Sequence, residues 1–414
     1  MPRKTGLPGH RVASAGSDIR SDMRHAGSES WPRSRHPTVE HSPGGALPDG
    51  SVAEDLDVTT GRTLATIEPA PASGPTQRRG RRAFHSRPRQ RAGSTVRASA
   101  GLLTFMLLAV VQLVIERPML LAERFVPGAG WIESLALAGY AAWLVGLLYD
   151  PHETARWRRR LWTLFALVFF TQLAIGLAGV DAFLMSGTLH LPIPAMIVAG
   201  PLYRGAGVFM PILFGATVLL VGPAWCSYLC YVGSWDLNAA CARRRSSQLP
   251  WWRNWVRGGV FVLIALTAVA LGPAGVPAAT ATALGLAVGI AGVAIMVVAS
   301  RRTGSMIHCT MYCPVGLAAD VLGKLSPFRL RIRDDACTDC GACALRCRYG
   351  ALRPENIARR RPGLGCTLCG DCLAACRGRA IEYRLPLSSP ATARSAFLVV
   401  VVSLHAVFLG VARI

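Results

Sequence analysis

Seven stretches of this sequence, near 99–116, 131–149, 161–180, 205–223, 255–273, 280–299 and 394–412, stay apolar over the length a membrane crossing needs. A hydrocarbon core about 30 Å thick takes about 20 helical residues. Inside it each backbone polar group must find its partner within the protein, which leaves helices and closed barrels as spanning structures. Uninterrupted apolar runs of this length are helical. The sequence therefore predicts an α-helical polytopic membrane protein.

Charge orients the helices. The formal net charge is +22, yet the mean hydropathy is +0.35. A basic chain invites a nucleic-acid reading. Here the arginines cluster at the ends of apolar runs and in a polar N-terminal stretch, so nucleic acid is set aside as a partner. Lys and Arg are retained on the cytoplasmic side of short loops. Arg156, Arg158, Arg159 and Arg160 follow the second stretch, Arg243, Arg244, Arg245, Arg253 and Arg257 follow the fourth, and Arg301 and Arg302 end the sixth. The loops around 127–130, 181–204 and 272–279 are poor in basic residues. Seven spans with a cytoplasmic N-terminus satisfy this alternation, in the inner (cytoplasmic) membrane. A membrane-surface helix over Pro118–Phe125 is an alternative near the first pair of spans. Residues 1–97, rich in Ser, Gly, Pro, Arg and His, read as a disordered basic cytoplasmic tail. Its Arg78, Arg79, Arg81 and Arg82 read as a positive-inside anchor in preference to a twin-arginine export signal. Gln112, Gln172 and His405 lie inside spans and read as helix–helix contacts.

The thirteen cysteines are unevenly spread, with eight of them between Cys337 and Cys376. Cys337-x2-Cys340-x2-Cys343-x3-Cys347 is followed by Cys366-x2-Cys369-x2-Cys372-x3-Cys376. Zinc ribbons use two C-x2-C knuckles separated by a longer loop. Four cysteines at this tight spacing, repeated twice, match the bacterial two-cluster [4Fe–4S] arrangement, in which the fourth cysteine of each run serves the other cluster. The expected sets are Cys337, Cys340, Cys343 with Cys376, and Cys366, Cys369, Cys372 with Cys347. Residues 331–385 thus read as a small α+β bacterial-type 2[4Fe–4S] ferredoxin-like domain, with Gly341 and Gly370 letting backbone N–H groups approach the sulfurs. The proline usual after the fourth cysteine is replaced by Arg348 and Arg377, cations expected to favour a reduced cluster.

Two further pairs, Cys226-x3-Cys230 and Cys309-x3-Cys313-Pro314, sit at the ends of the fourth and sixth stretches. Spacing of i, i+4 puts both thiols on one helical face. Four thiols could then meet at the membrane surface to hold a third cluster or a metal, or to shuttle as dithiols. Buried structural thiols are the alternative. Cys241 reads as an inert thiol and His308 as an interfacial histidine. The boundaries are then 1–97 for the tail, 98–300 for a six-span domain, 301–330 for a Cys-x3-Cys-Pro connector, 331–385 for the ferredoxin-like domain and 386–414 for a last span.

Over roughly residues 100–385 these features together resemble the membrane polyferredoxins of the NosR/NapH type. That resemblance implies electron transfer between the quinone pool or a cytoplasmic donor and a respiratory or maturation partner protein, as a subunit rather than a stand-alone enzyme. A quinol dehydrogenase or metal-ion reductase, and a redox-responsive regulator or assembly factor, remain the other functional classes. Tyr231 stands where that family has proline after the second cysteine, and a seventh span follows the cysteine runs. Neither a flavin-binding domain before the helices nor an immunoglobulin-like domain after them is read. The segment Gly187–Arg204, with His190, Pro192, Pro194 and Pro201, is expected to be an exterior contact surface. No dinucleotide fingerprint or C-x-x-C-H haem motif is read.

Overall fold

A computed structural model describes residues 92–184 and 191–411. The tail up to position 91, with its arginine pairs, and positions 187–190 of the proposed exterior segment lie outside the described residues. Seven helices are long and apolar enough to cross a membrane: Ser94–Val114, Gly130–Leu148, Pro151–Leu177, Phe209–Leu229, Arg253–Leu271, Ala278–Thr303 and Pro390–Val411. This is a multi-pass membrane protein. Spans one, two and seven pack on one another, span seven also touches spans three and four, and span five packs against Met196–Arg204.

The helix ends depart from the sequence expectation where polar residues stabilise an extra turn. Span three starts at Pro151 instead of near 161. The Asp150 side chain accepts from the His152 N–H at 3.0 Å, and Pro151 supplies the first helical φ. Arg156, Arg158, Arg159 and Arg160 therefore lie on this helix and not in a loop. Span one starts at Ser94, inside the stretch read as tail. Between spans one and two a short helix, Leu121–Phe125, forms where the surface helix was the alternative. Met196–Arg204 is also helical, so the exterior segment is only partly a loop.

Hydrogen bonds sort the span ends into two faces. On one face Arg124 Nη1 donates to Ala182 O at 2.9 Å and Tyr203 Oη to Val276 O at 2.8 Å, joining the arginine-poor connections. On the other, Arg394 at the start of span seven donates to Leu148 O and to Thr154 Oγ1, both at 3.3 Å. That second face carries residues 329–385. There β1 (Arg329–Ile332) pairs antiparallel with β2 (Ile381–Arg384), Leu330 opposite Tyr383 and Ile332 opposite Ile381. The strands enclose two matching units. Each cysteine run ends in a five-residue helix, Ala342–Arg346 or Asp371–Ala375, entered through a glycine in the left-handed region, Gly341 (φ 69°) or Gly370 (φ 81°). Phe397 of span seven stacks on Tyr383 at 4.8 Å between ring centroids, which fixes the sheet to the membrane helices.

Candidate functional site

Both cysteine runs curl in the same way. Asp339 and Leu368, each just before the second cysteine of its run, take φ of 50° and 53°, which non-glycine residues seldom adopt. The repeated left-handed turns leave backbone N–H groups pointing at sulfur. Ala351 N–H donates to Cys347 Sγ and Ala380 N–H to Cys376 Sγ, both at 3.2 Å. Backbone N–H groups stabilise a thiolate, as helix N-termini do.

The electrostatic neighbours of each thiol follow the crossed sets. Burial pushes Cys343 up to about 11, with further repulsion from Cys376 and Cys337. Burial lifts Cys369 to about 12, and Cys347 is among the charges adding to the rise. Cys366 and Cys372 are raised by burial first, with Cys347 again contributing. Cys347 thus acts on the thiols of the second run, and Cys376 on Cys343 of the first. The first group is the outer one: Cys340 is exposed, whereas Cys372 of the second is buried.

Cys226, Cys230, Cys309 and Cys313 influence one another electrostatically, but they do not lie on α-helical faces. The first cysteine of each pair lies in a π-helical turn, Trp225–Leu229 or His308–Tyr312, and the second ends it. The turns close through Cys230 N–H to Trp225 O at 3.1 Å and Cys313 N–H to His308 O at 2.8 Å. Single π turns inside helices concentrate at functional sites. The second cysteine of each pair is extended and caps a new helix, Tyr231–Ala240 or Pro314–Leu322. Backbone N–H groups of Gly233 and Val232 reach Cys230, and those of Gly316 and Val315 reach Cys313. Tyr231, at the position of the missing proline, stacks on Phe169 at 3.7 Å. Cys309 is held far above its ordinary range by burial, and then by Asp236, Cys313, Cys230 and Cys226. Asp236 is fully buried; its Oδ2 accepts from Cys309 N–H at 2.9 Å, and burial pushes its carboxyl up to about 6. Among the described residues, Asp236 Oδ1, Tyr349 Oη and Trp225 Nε1 are buried without a hydrogen-bond partner.

This group adjoins the second cysteine run. Ser227 Oγ donates to Thr367 O at 2.9 Å and Tyr228 Oη to Cys369 O at 3.1 Å. Arg158 grips Asp371 through both carboxylate oxygens, at 3.1 and 2.6 Å, and donates to Ser227 O at 3.2 Å. On the far side Arg257 donates to Cys313 O at 3.2 Å and to Asp320 at 2.5 Å. Arg253 donates to Tyr349 O at 2.7 Å and to Leu364 O at 2.9 Å.

Three residues do more than sequence reasoning assigned to them. Arg348 reaches the carbonyls of Ala240, Gly304 and Arg243 at 2.8, 2.7 and 3.0 Å. It clamps the cysteine units onto helix ends, where cations are favoured. His308 is buried within the protein, and burial lowers it to about 4. His405 bonds Tyr228 O at 2.9 Å and Tyr140 Oη at 3.3 Å, a helix–helix contact that also holds the π turn. Cys241 is half-buried at the end of Tyr231–Ala240.

Among the described residues no three His, Cys, Asp or Glu side chains stand close enough to share a single metal ion. The donor set nevertheless suits a thiolate-held cluster, with soft sulfur ligands in fours and N–H groups turned on them.

The comparisons with known proteins are sparse. This chain is 28% identical over 193 residues, 41% of its length, to the Escherichia coli (strain K12) protein named "Putative electron transport protein YccM". It spans about half of that relative, 54% of its length. No protein-family profile and no solved structure matches the chain.

Proposed function

We propose that this protein is a membrane-bound electron carrier of the inner membrane, with residues 331–385 a ferredoxin-like domain on the cytoplasmic face. Cys337, Cys340, Cys343 and Cys376 would hold an outer [4Fe–4S] cluster, and Cys366, Cys369, Cys372 and Cys347 an inner one. Such a cluster, when bound, takes up and returns one electron at a potential set by charge, hydrogen bonds to sulfur and solvent exposure. The protein surrounds the inner set with a buried carboxylate–guanidinium pair, Asp371 with Arg158, and holds Cys347 with the Ala351 N–H. Cys340 brings the outer set to solvent. Cys226, Cys230, Cys309 and Cys313 form a third redox group, a cluster, metal or dithiol site, at the membrane end of the series. The orphaned Asp236 Oδ1 and Tyr349 Oη beside them suit a bound group. Electrons would pass between the quinone pool or a cytoplasmic donor and a redox partner protein. The name of the Escherichia coli relative supports electron transport as the class.

The observation that carries this reading is the direct hydrogen bonding of the first π turn to the second cysteine run, Ser227 to Thr367 and Tyr228 to Cys369. A turn used only for packing has no need to sit on a cysteine loop. The test replaces Cys230 and Cys313 together by Ser. Electron flow through the membrane should stop while EPR still reports both clusters of residues 331–385 and the protein level in membranes is unchanged. Undiminished flow would reduce the pairs to packing residues, and loss of the protein from the membrane would make them structural.

A further inference from the structure

Beside the inner cysteine set lies an open cavity of about 420 Å³ between the start of β1 and the segment 361–368. Small-ligand sites run from roughly 300 to 1,000 Å³. Leu364 and Leu368 form its apolar wall and Cys366 opens onto it; Lys324, Arg331 and Arg361 line it as well. Neighbouring arginines are spent on carboxylates: Arg257 on Asp320, Arg360 on Asp334 and Asp339, Arg384 on Glu382. The lining also holds Arg329, which donates to the carbonyls of Gly323 and Phe328, and Asp320, which Arg257 holds; among the described residues none of Lys324, Arg331 and Arg361 has a carboxylate partner. All three are exposed. Unneutralised cations converging on one concave surface concentrate anions there. Pro223, which follows the apolar part of span four, also lines the cavity, and Leu325 next to Lys324 is 72% exposed. The end of an apolar helix and an exposed leucine therefore flank the opening.

We propose that this cavity binds a phosphate group carried on an apolar body. The phosphate sits among Lys324, Arg331 and Arg361, and the apolar part lies on Leu364 and Leu368 beside Cys366. Two sources carry that chemistry: a soluble flavin mononucleotide and the headgroup end of an anionic phospholipid. The site deepens the electron-carrier reading by giving the inner cysteine set an access route separate from Cys340. It stands or falls by binding alone, whatever the cysteines hold.

The test uses full-length protein purified anaerobically in a neutral detergent. Flavin mononucleotide is titrated and its fluorescence followed. Phosphatidylglycerol is titrated separately by native mass spectrometry, with phosphatidylcholine as control. Wild type is compared with Lys324→Gln/Arg361→Gln and with Arg244→Gln/Arg245→Gln, which removes two charges elsewhere. The proposal expects one of the two phosphate probes to bind wild type, and to weaken about tenfold or more in the Lys324/Arg361 variant only. The probe that does so identifies the source. Absence of binding by both probes, unchanged affinity in the cavity variant, or an equal loss in the Arg244/Arg245 variant would overturn it.

Discussion

Arg158 joins three parts of the molecule at one guanidinium. It is 1% exposed, bidentate on Asp371 of the second cysteine run, and bonded to Ser227 O of the first π turn. Removing one partner of a buried pair strands the other, at a cost of about 3–5 kcal/mol. Asp371 retains 14% exposure, so the lower end applies. Arg158→Met should lower the thermal midpoint in detergent by several degrees, and Arg158→Lys should recover only part, because an ammonium cannot fork. An unchanged midpoint in Arg158→Met would remove the pair from the account of stability. Arg348 makes the complementary case. Arg348→Pro restores the residue that bacterial cysteine runs of this kind carry, but deletes three carbonyl contacts. Limited proteolysis between spans six and seven should then speed up while iron content stays at the wild-type level. The sequence marked Arg348 as a departure and offered a local electrostatic reason. Its contacts reach back over a hundred positions, which no local pattern encodes.

At the scale of elements, the helices that follow the π turns set how closely the thiols approach. Gly233, in the first turn of Tyr231–Ala240, leaves no room for a side chain: an added Cβ would lie 2.6 Å from Trp162 and 3.1 Å from Cys226 O. Trp162 Nε1 donates to Cys230 O at 2.7 Å, so its ring cannot move away freely. Gly233→Leu should cost about 1–3 kcal/mol from overpacking, read as a lower thermal midpoint with the two cluster signals of residues 331–385 retained. Loss of neither stability nor electron flow would show that the contact is loose. In the proposed cluster sets the two cysteine units exchange their last cysteines. Cys347→Ser should damage the cluster built mainly by Cys366, Cys369 and Cys372, and Cys376→Ser the one built by Cys337, Cys340 and Cys343, as separated by EPR. Damage confined to each variant's own run would sink the crossed assignment.

For the whole molecule, the arginine-rich helix ends and the cysteine units share one face, and span seven, after the cysteine units, is long and apolar enough to cross a membrane. Reporter fusions after Leu385 and after Ile414 should therefore give opposite sides, the first cytoplasmic; the same side for both would remove span seven. Anaerobically purified protein should carry about eight iron and eight acid-labile sulfide in the cysteine runs, from two four-iron clusters. Zinc in place of iron after anaerobic reconstitution would overturn the cluster reading.

Seven spans were determined by the sequence alone, because a hydrocarbon core imposes length and apolarity locally on each segment. The two cysteine runs were equally legible, since their spacing lies within single loops. Span three's early start was not, because Asp150 and Pro151 add turns that carry polar residues and no apolar signal. The i, i+4 spacing of Cys226/Cys230 and Cys309/Cys313 was read as an α-helical face, but tertiary structure turned each into a π turn with the second cysteine capping a new helix. That choice depends on contacts from distant segments: Trp162 on Cys230 O, Asp236 on Cys309 N–H, Arg257 on Cys313 O. Only the packed chain could decide that the first π turn would sit on the loop of Cys369, because hydrogen bonds between residues some 140 positions apart hold it there.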